Sequence, residues 1–185
     1  MKTTNLLIAD HESILEAVHI LDAICTEIEH GKKVDYDDIH SLLAFLYHFA
    51  DGSHHVKEEA IFFPALMQAG MNFQDGPLRV MTYEHERGRA LTAAMEDSLS
   101  RNNKQDFVMY GRRYIQLLTE HIEKENYVLF PMADETLTDE QDQKIADAFA
   151  HFEQTTVGAP TYERLRGALE SLASKYLHEK IPLLS

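Results

Sequence analysis

The sequence predicts an all-α protein: an up-down-up-down four-helix bundle with two extra C-terminal helices. Three observations predict it. Apolar residues recur at spacings of three and four, and strand-like alternation is missing. Glycine and proline are few, 8 and 5 in 185 residues, and β-branched runs do not occur. The periodic stretches are similar in length and joined by short connections, which makes neighbours antiparallel.

The first helix runs from about Asn5 to Glu29, with Leu7, His11, Ile14, Val18, Leu21, Cys25 and Ile28 in one stripe. His30-Gly31-Lys32-Lys33 stops it, placing basic side chains at the negative end of the helix dipole. The second starts near Asp35 and runs to about Gln68, where Gly70 supplies a C-terminal signal. A loop from Met71 to Gly76 follows, and Pro77 suits a first helical position. The third helix carries Leu78, Met81, His85, Gly88, Thr92, Met95 and Leu99, and ends around Arg101-Asn102-Asn103. The fourth spans about Lys104 to Ala133. Thr138-Asp139-Glu140-Gln141 reads as a capping box opening a helix to about Thr155. Gly158-Ala159-Pro160 breaks that helix, and Thr161 to about His178 forms the last one. No linker divides the chain, so residues 1–185 read as one domain, with a core at about 5–133 and an extension at about 138–178. That extension covers a bundle end or supports a homodimer; the pattern leaves both open.

Charge excludes several functions. The net charge is −14, with 31 acidic against 17 basic residues, which rules out electrostatic attraction to nucleic acid or anionic membrane as a main activity. One cysteine, Cys25, excludes an internal disulfide, a cysteine-built zinc site and an iron–sulfur cluster. No segment approaches the roughly 20 apolar residues of a spanning helix. The first ten residues do not read as an export signal, so a reducing cytoplasm is the expected setting. There is no glycine-rich phosphate loop and no Ser–His–Asp arrangement. The unusual feature is histidine, 11 of them, several beside glutamates.

Two segments repeat. His54-His55-Val56-Lys57-Glu58-Glu59-Ala60-Ile61-Phe62-Phe63-Pro64 matches His121-Ile122-Glu123-Lys124-Glu125-Asn126-Tyr127-Val128-Leu129-Phe130-Pro131 at an offset of 67 residues. More weakly, Asp10-His11-Glu12 matches Glu84-His85-Glu86 at an offset of 74. The first two helices thus look like a degenerate copy of the next two. The repeat selects His54/Glu58 over His55/Glu59, because Glu59 falls opposite Asn126, which is no carboxylate.

Four residues along a helix return to within about 40° of the same direction, about 5.4 Å further on. A His-x3-Glu pair can therefore offer imidazole and carboxylate to one centre. A single such pair is ordinarily solvated and worth a few tenths of a kcal/mol. Two copies on apolar stripes are different, because buried glutamates without a partner are costly and need a cation. With His11 and His85 added, the interior would hold four imidazoles and two carboxylates. That donor set suits first-row metals, iron foremost.

Other residues read more plainly. His55 and Glu59 form the alternative register, or orient ligands, or lie at the surface. Glu12, Glu84 and Glu86 read as solvated acids. His19 and His48 read as partly buried packing residues. Met67, Met81, Met95 and Met132 read as core filling, and Cys25 as a buried, inert thiol. Tyr47, Tyr114 and Tyr127 read as amphipathic core edges. Pro64 and Pro131 are expected to end or kink the second and fourth helices.

At these residues the chain resembles the hemerythrin family, the HHE cation-binding domains, over about Ile8 to Ala133. The strongest stretches are His54 to Pro64, Gly76 to Met81 leading into Glu84-His85-Glu86, and His121 to Pro131. It resembles the bacterial HHE proteins and the di-iron domain of repair-of-iron-centres proteins. The resemblance implies two non-haem iron ions, oxo- or hydroxo-bridged, held by His11, His54, Glu58, His85, His121 and Glu125. It implies that both glutamates bridge, that His11 and His54 share one iron, and that His85 and His121 share the other. Oxygen-carrying hemerythrins place a further histidine one turn after the third-helix ligand. Here that residue is Arg89, which cannot ligate a metal. The resemblance then implies an open coordination position, favouring reactive chemistry or sensing over oxygen carriage. The expected ligand is dioxygen, nitric oxide or peroxide. The alternative is a non-catalytic iron or oxygen sensor, or an iron-storage or repair protein, and the sequence leaves open whether the protein is an enzyme.

Overall fold

The computed structural model describes residues 2–177, and six helical rods make up almost all of them. α1 is Thr3–Glu29. α2 covers residues 36–68: an α-helical start at Tyr36–Phe45, wide π-helical turns at Leu46–His55 and Glu58–Phe62, and an α-helical end at Phe63–Gln68. α3 is Pro77–Ser100. α4 covers residues 104–136, with one π turn at Glu125–Leu129 between Lys104–Lys124 and Phe130–Thr136. α5 covers residues 139–157, and α6 is Ala159–Tyr176. The expected end of the last helix at His178 lies outside the described residues. Among the described residues there is no strand, and no helix is long and apolar enough to cross a membrane.

The rods start and stop on local chemistry. After α1, Gly31 adopts φ +71°, its N–H donates to Ile28 O at 3.0 Å, and Lys32 N–H donates to Glu27 O at 2.9 Å. The Asp35 carboxylate caps α2 by accepting from Asp37 N–H at 3.0 Å. Thr138 and Gln141 close the expected capping box of α5 from both sides.

Pro64 and Pro131, expected to end or kink their helices, do not end them. A proline lacks an N–H, and its ring clashes with the carbonyl four residues back. The preceding turn widens to accommodate this: Phe63 N–H bonds Glu58 O and Phe130 N–H bonds Glu125 O, five residues back. Both helices then continue, to Gln68 and Thr136.

Each of the first four rods buries an apolar segment above and below a polar layer. On α1, buried Leu7 and Ile14 flank His11; on α2, Ala50 and Phe62 flank His54 and Glu58. On α3, Met81 and Met95 lie either side of His85, and on α4, Leu118 and Leu129 flank His121 and Glu125. Two apolar clusters result, one around Leu21, Phe45 and Phe107, the other around Phe62, Leu78 and Phe130. The C-terminal helices pack on their own chain. α5 adds Ile145 and Phe149 to the second cluster, and Asp142 receives the Thr3 N–H at 3.0 Å. α6 adds Leu165, Leu169 and Leu172 to the first, and Tyr176 Oη donates to Asp38 at 2.6 Å.

Cross-helix pairs set the register. Thr4 meets Asp134, His11 meets Asn126, and Asp22 meets Arg112, so numbers rise on α1 as they fall on α4. Asp51 meets Arg89 and Glu59 meets His85 in the same opposing sense. Two expectations fail at the surface. Met67 and Met132 are 42% and 41% exposed, because each stands one position, about 100°, from the buried Leu66 or Ala133. His19 and His48 are exposed rather than partly buried; His19 sits about 80° around α1 from His11.

Gly111 lets α4 pass close to α1. A Cβ there would meet Cys25 Sγ at 2.8 Å. Cys25 is fully buried, and burial pushes its thiol pKa up to about 12, so it is an inert packing group. Gly111→Ala is therefore expected to cost about 1–2 kcal/mol in the native chain. In a Cys25→Ala background the same change should instead stabilise by several tenths of a kcal/mol, through helix propensity. Urea midpoints of the four proteins check this.

Candidate metal centre

Each of the first four helices brings at least one polar side chain into the layer between the apolar clusters. His11, His54, Glu58, His85, His121 and Glu125 are all at most 1% exposed. The imidazoles pair across helices: Nε2 of His11 and His54 are 3.1 Å apart, as are Nε2 of His85 and His121. That is the separation of two nitrogens each about 2.1 Å from a shared ion and near a right angle.

The carboxylates lie between the pairs. Glu58 places Oε1 at 3.6 Å from His54 Nε2 and Oε2 at 3.3 Å from His85 Nε2. Glu125 Oε2 is 3.1 Å from His11 Nε2 and 3.3 Å from His121 Nε2. Two four-residue groups follow, His11/His54/Glu58/Glu125 and Glu58/His85/His121/Glu125, sharing both glutamates.

An outer ring of acceptors fixes the rings. His54 Nδ1 faces Asp10 Oδ2 at 3.3 Å, and His121 Nδ1 faces Glu84 Oε2 at 3.1 Å. His85 Nδ1 faces Glu59 Oε1 at 2.7 Å, and His11 Nδ1 faces Asn126 Oδ1 at 2.8 Å. An acceptor at Nδ1 keeps the proton there and turns the Nε2 lone pair inward, the form a metal takes. Lysines brace two of these acceptors: Lys57 reaches Asp10 at 2.7 Å, and Lys124 pairs with Glu84.

This ring follows the repeat. Asp10 and Glu84 match at the 74-residue offset; Lys57 and Lys124 match at 67, as do Glu59 and Asn126. Glu59 and Asn126 thus share a task, holding the histidine of the facing helix, which a carboxylate or an amide oxygen performs equally. Their mismatch in charge is what made Glu59 look incidental in the sequence. Asn126 as a histidine partner escaped the sequence reading for the same reason. Glu84, expected to be solvated, is largely buried as part of this ring, whereas Glu12 and Glu86 are exposed.

All four carboxylate oxygens of Glu58 and Glu125 are buried without a hydrogen-bond partner. Imidazole Nε2 atoms lie at 3.1–3.3 Å from Oε2 of each, so the buried charges call for positive charge, supplied by protonated imidazoles or by a cation between them. The charge demand also shows on the imidazoles. Burial disfavours a charged His121, but Glu125, with Glu84 behind it, outweighs burial and lifts its pKa to about 10. His11 and His85 are raised in the same way, against burial, chiefly by Glu125 and Glu58 respectively. His121 in turn helps hold Glu125 well below the usual carboxylate range, despite its burial. The donor set of imidazoles and carboxylates fits a first-row metal such as iron.

All six expected residues are therefore brought together. His55 lies beside His85 and His121, in a group apart from the glutamates: it is 4% exposed, and its ring stacks on His85 with centroids 3.9 Å apart. Arg89 does not enter the cluster, and its guanidinium holds Asp51 at 2.8 Å and Glu59 at 3.1 Å. Tyr47 and Tyr127 are 59% and 79% exposed; of the three tyrosines considered, only Tyr114 is buried.

A helical fold with a buried His/Glu cluster of this kind defines a cation-binding helical protein. The sequence profile of the hemerythrin HHE cation-binding domain matches residues 2–133, and the chain belongs to that family. Neither curated proteins nor solved structures yield a further match.

The outer ring has a measurable role. Glu59→Ala and Asp10→Ala are each expected to weaken metal binding by about 10- to 100-fold while leaving the helical content unchanged. Competition against a chromophoric chelator measures the first, circular dichroism the second.

Proposed function

We propose that this chain is a single hemerythrin-like domain, an up-down-up-down four-helix bundle carrying a non-haem di-iron centre that binds or processes dioxygen, nitric oxide or peroxide. The opposing registers of α1 with α4 and α2 with α3 support the bundle. The single observation that carries the function is the sharing of Glu58 and Glu125 by two four-residue groups, each with its own histidine pair. His11 and His54 would hold one ion, His85 and His121 the other, and each glutamate would span both. When bound, a ferrous pair supplies the electrons that reduce a small oxidant.

The protein's own residues prepare the site for that chemistry. Asp10, Glu59, Glu84 and Asn126 fix the ligand rings, so little rearrangement accompanies binding. Phe130 stacks on His11 with centroids 5.5 Å apart, and Phe63 on His85 at 6.0 Å, which keeps water from one side of the layer. The sole cysteine, fully buried, accords with a reducing cytoplasmic setting.

A second reading, a sensor of iron or oxygen, is favoured by one further contact. Lys57, 1% exposed, reaches both Asp10 and Glu153 at 2.7 Å, and Asp10 in turn faces His54. A change in His54 is thereby coupled to the end of α5. Steady consumption of peroxide or nitric oxide would mark an enzyme; occupancy-dependent stability without turnover would mark a sensor.

Metal analysis tests the shared proposal. Full-length protein should carry two iron ions per chain, and one or none overturns it. Ion removal by a chelator should cost about 4 kcal/mol or more at ion concentrations 1,000 times the dissociation constant, or roughly 8–16 °C in melting temperature. The double variant Glu58→Gln/Glu125→Gln should lose that dependence, because the carboxylates both ions would share are gone.

A further inference from the structure

The two halves of the repeat are equivalent at every ligand and differ beside one. His55 matches Ile122, Asp51 matches Leu118, and Arg89 matches Leu15 at the same offsets. One half thus carries a polar trio where the other carries three apolar residues. Ile122 and Leu118 are buried in the apolar cluster, with Leu15 packed against it. In the polar trio, Arg89 Nη1 holds Asp51 Oδ1 at 2.8 Å, and the same oxygen lies 3.4 Å from His55 Nδ1. His55 Nδ1–H is thereby directed at a carboxylate, as in three of the four histidines of the centre; the fourth, His11, faces the Asn126 amide oxygen. Its Nε2 is buried with no partner at all. The rings of His55, His85 and His121 each offer a nitrogen within 4.8 Å of the other two.

A purely packing residue here would be apolar, as Ile122 is in the other half. Burying an imidazole, a carboxylate to orient it and a guanidinium to hold that carboxylate makes sense only if the free nitrogen has something to bind. We infer that His55 is a third imidazole ligand for the ion held by His85 and His121. The inference rests on the two-ion reading and makes the two ions unequal. The His85/His121 ion receives an extra nitrogen from the helix of its partner pair, on the side where Arg89 itself cannot ligate. The His11/His54 ion, whose matching position is Ile122, keeps the open coordination position, against an apolar wall.

Cobalt(II) loading of the full-length protein tests this, because ligand imidazole N–H protons show paramagnetically shifted, exchangeable NMR resonances. The native protein should bind two cobalt ions and show five such resonances. His55→Ile, which copies the residue of the other half, and His55→Gln, which keeps polarity, should each show four at saturating metal. Both should bind one of the two ions more than about 100-fold more weakly, a ligand counting for more than an orienting residue. Loss of the whole ion in either variant, with the His11/His54 resonances retained, supports the same assignment. Four resonances in the native protein, or five in both variants, overturn the role of His55 and leave the two-ion site standing. Fewer than two ions in the native protein overturns the two-ion reading itself and the inference with it.

Discussion

Two fully buried carboxylates, faced by imidazole Nε2 atoms, govern this molecule. Glu58 and Glu125 sit at 0% exposure in a layer closed above and below by apolar side chains. Nothing in a helix bundle tolerates such charges by default. The four imidazoles, the outer acceptors and the bracing lysines all read as answers to that placement. The inward Nε2 atoms and the shared glutamates bring one kind of solution within reach, a cation coordinated from four helices.

The same constraint explains the local backbone. The π turns at Glu58–Phe62 and Glu125–Leu129 begin on the two glutamates and absorb Pro64 and Pro131. A standard α-turn would leave the proline ring against a carbonyl four residues earlier. Opening the turn by one residue instead lets the helix run on and bury Phe63, Leu66, Phe130 and Ala133 as a floor under the centre. Proline here shapes a ligand-bearing helix without terminating it.

Symmetry and its breach carry the chemistry. A twofold-like repeat supplies each histidine pair with matched acceptors, Asp10 with Glu84 and Glu59 with Asn126. The breach at Arg89, Asp51 and His55 concentrates polarity on one half. On the other half Leu15, Leu118 and Ile122 extend the apolar cluster. The two halves therefore offer a cation unequal surroundings, polar on one side and apolar on the other.

The helices, their order and the six central residues were legible in the sequence, because helical period, capping residues and the His-x3-Glu repeat are local signals one or two turns long. Contacts between residues far apart in the chain were not. Asn126 reaches His11 across 115 residues, and Arg89 turns away from the metal layer to Asp51 across 38. The sequence carries α2 and α4 past their prolines, but the π turns that let them run on were not legible in it, and the seating of α5 and α6 on Thr3 and Asp38 depended on surfaces formed by other helices. His55 shows the division most plainly. Sequence periodicity places it about 100° from His54 on the same helix, and only the approach of α3 and α4 brings its ring beside His85 and His121.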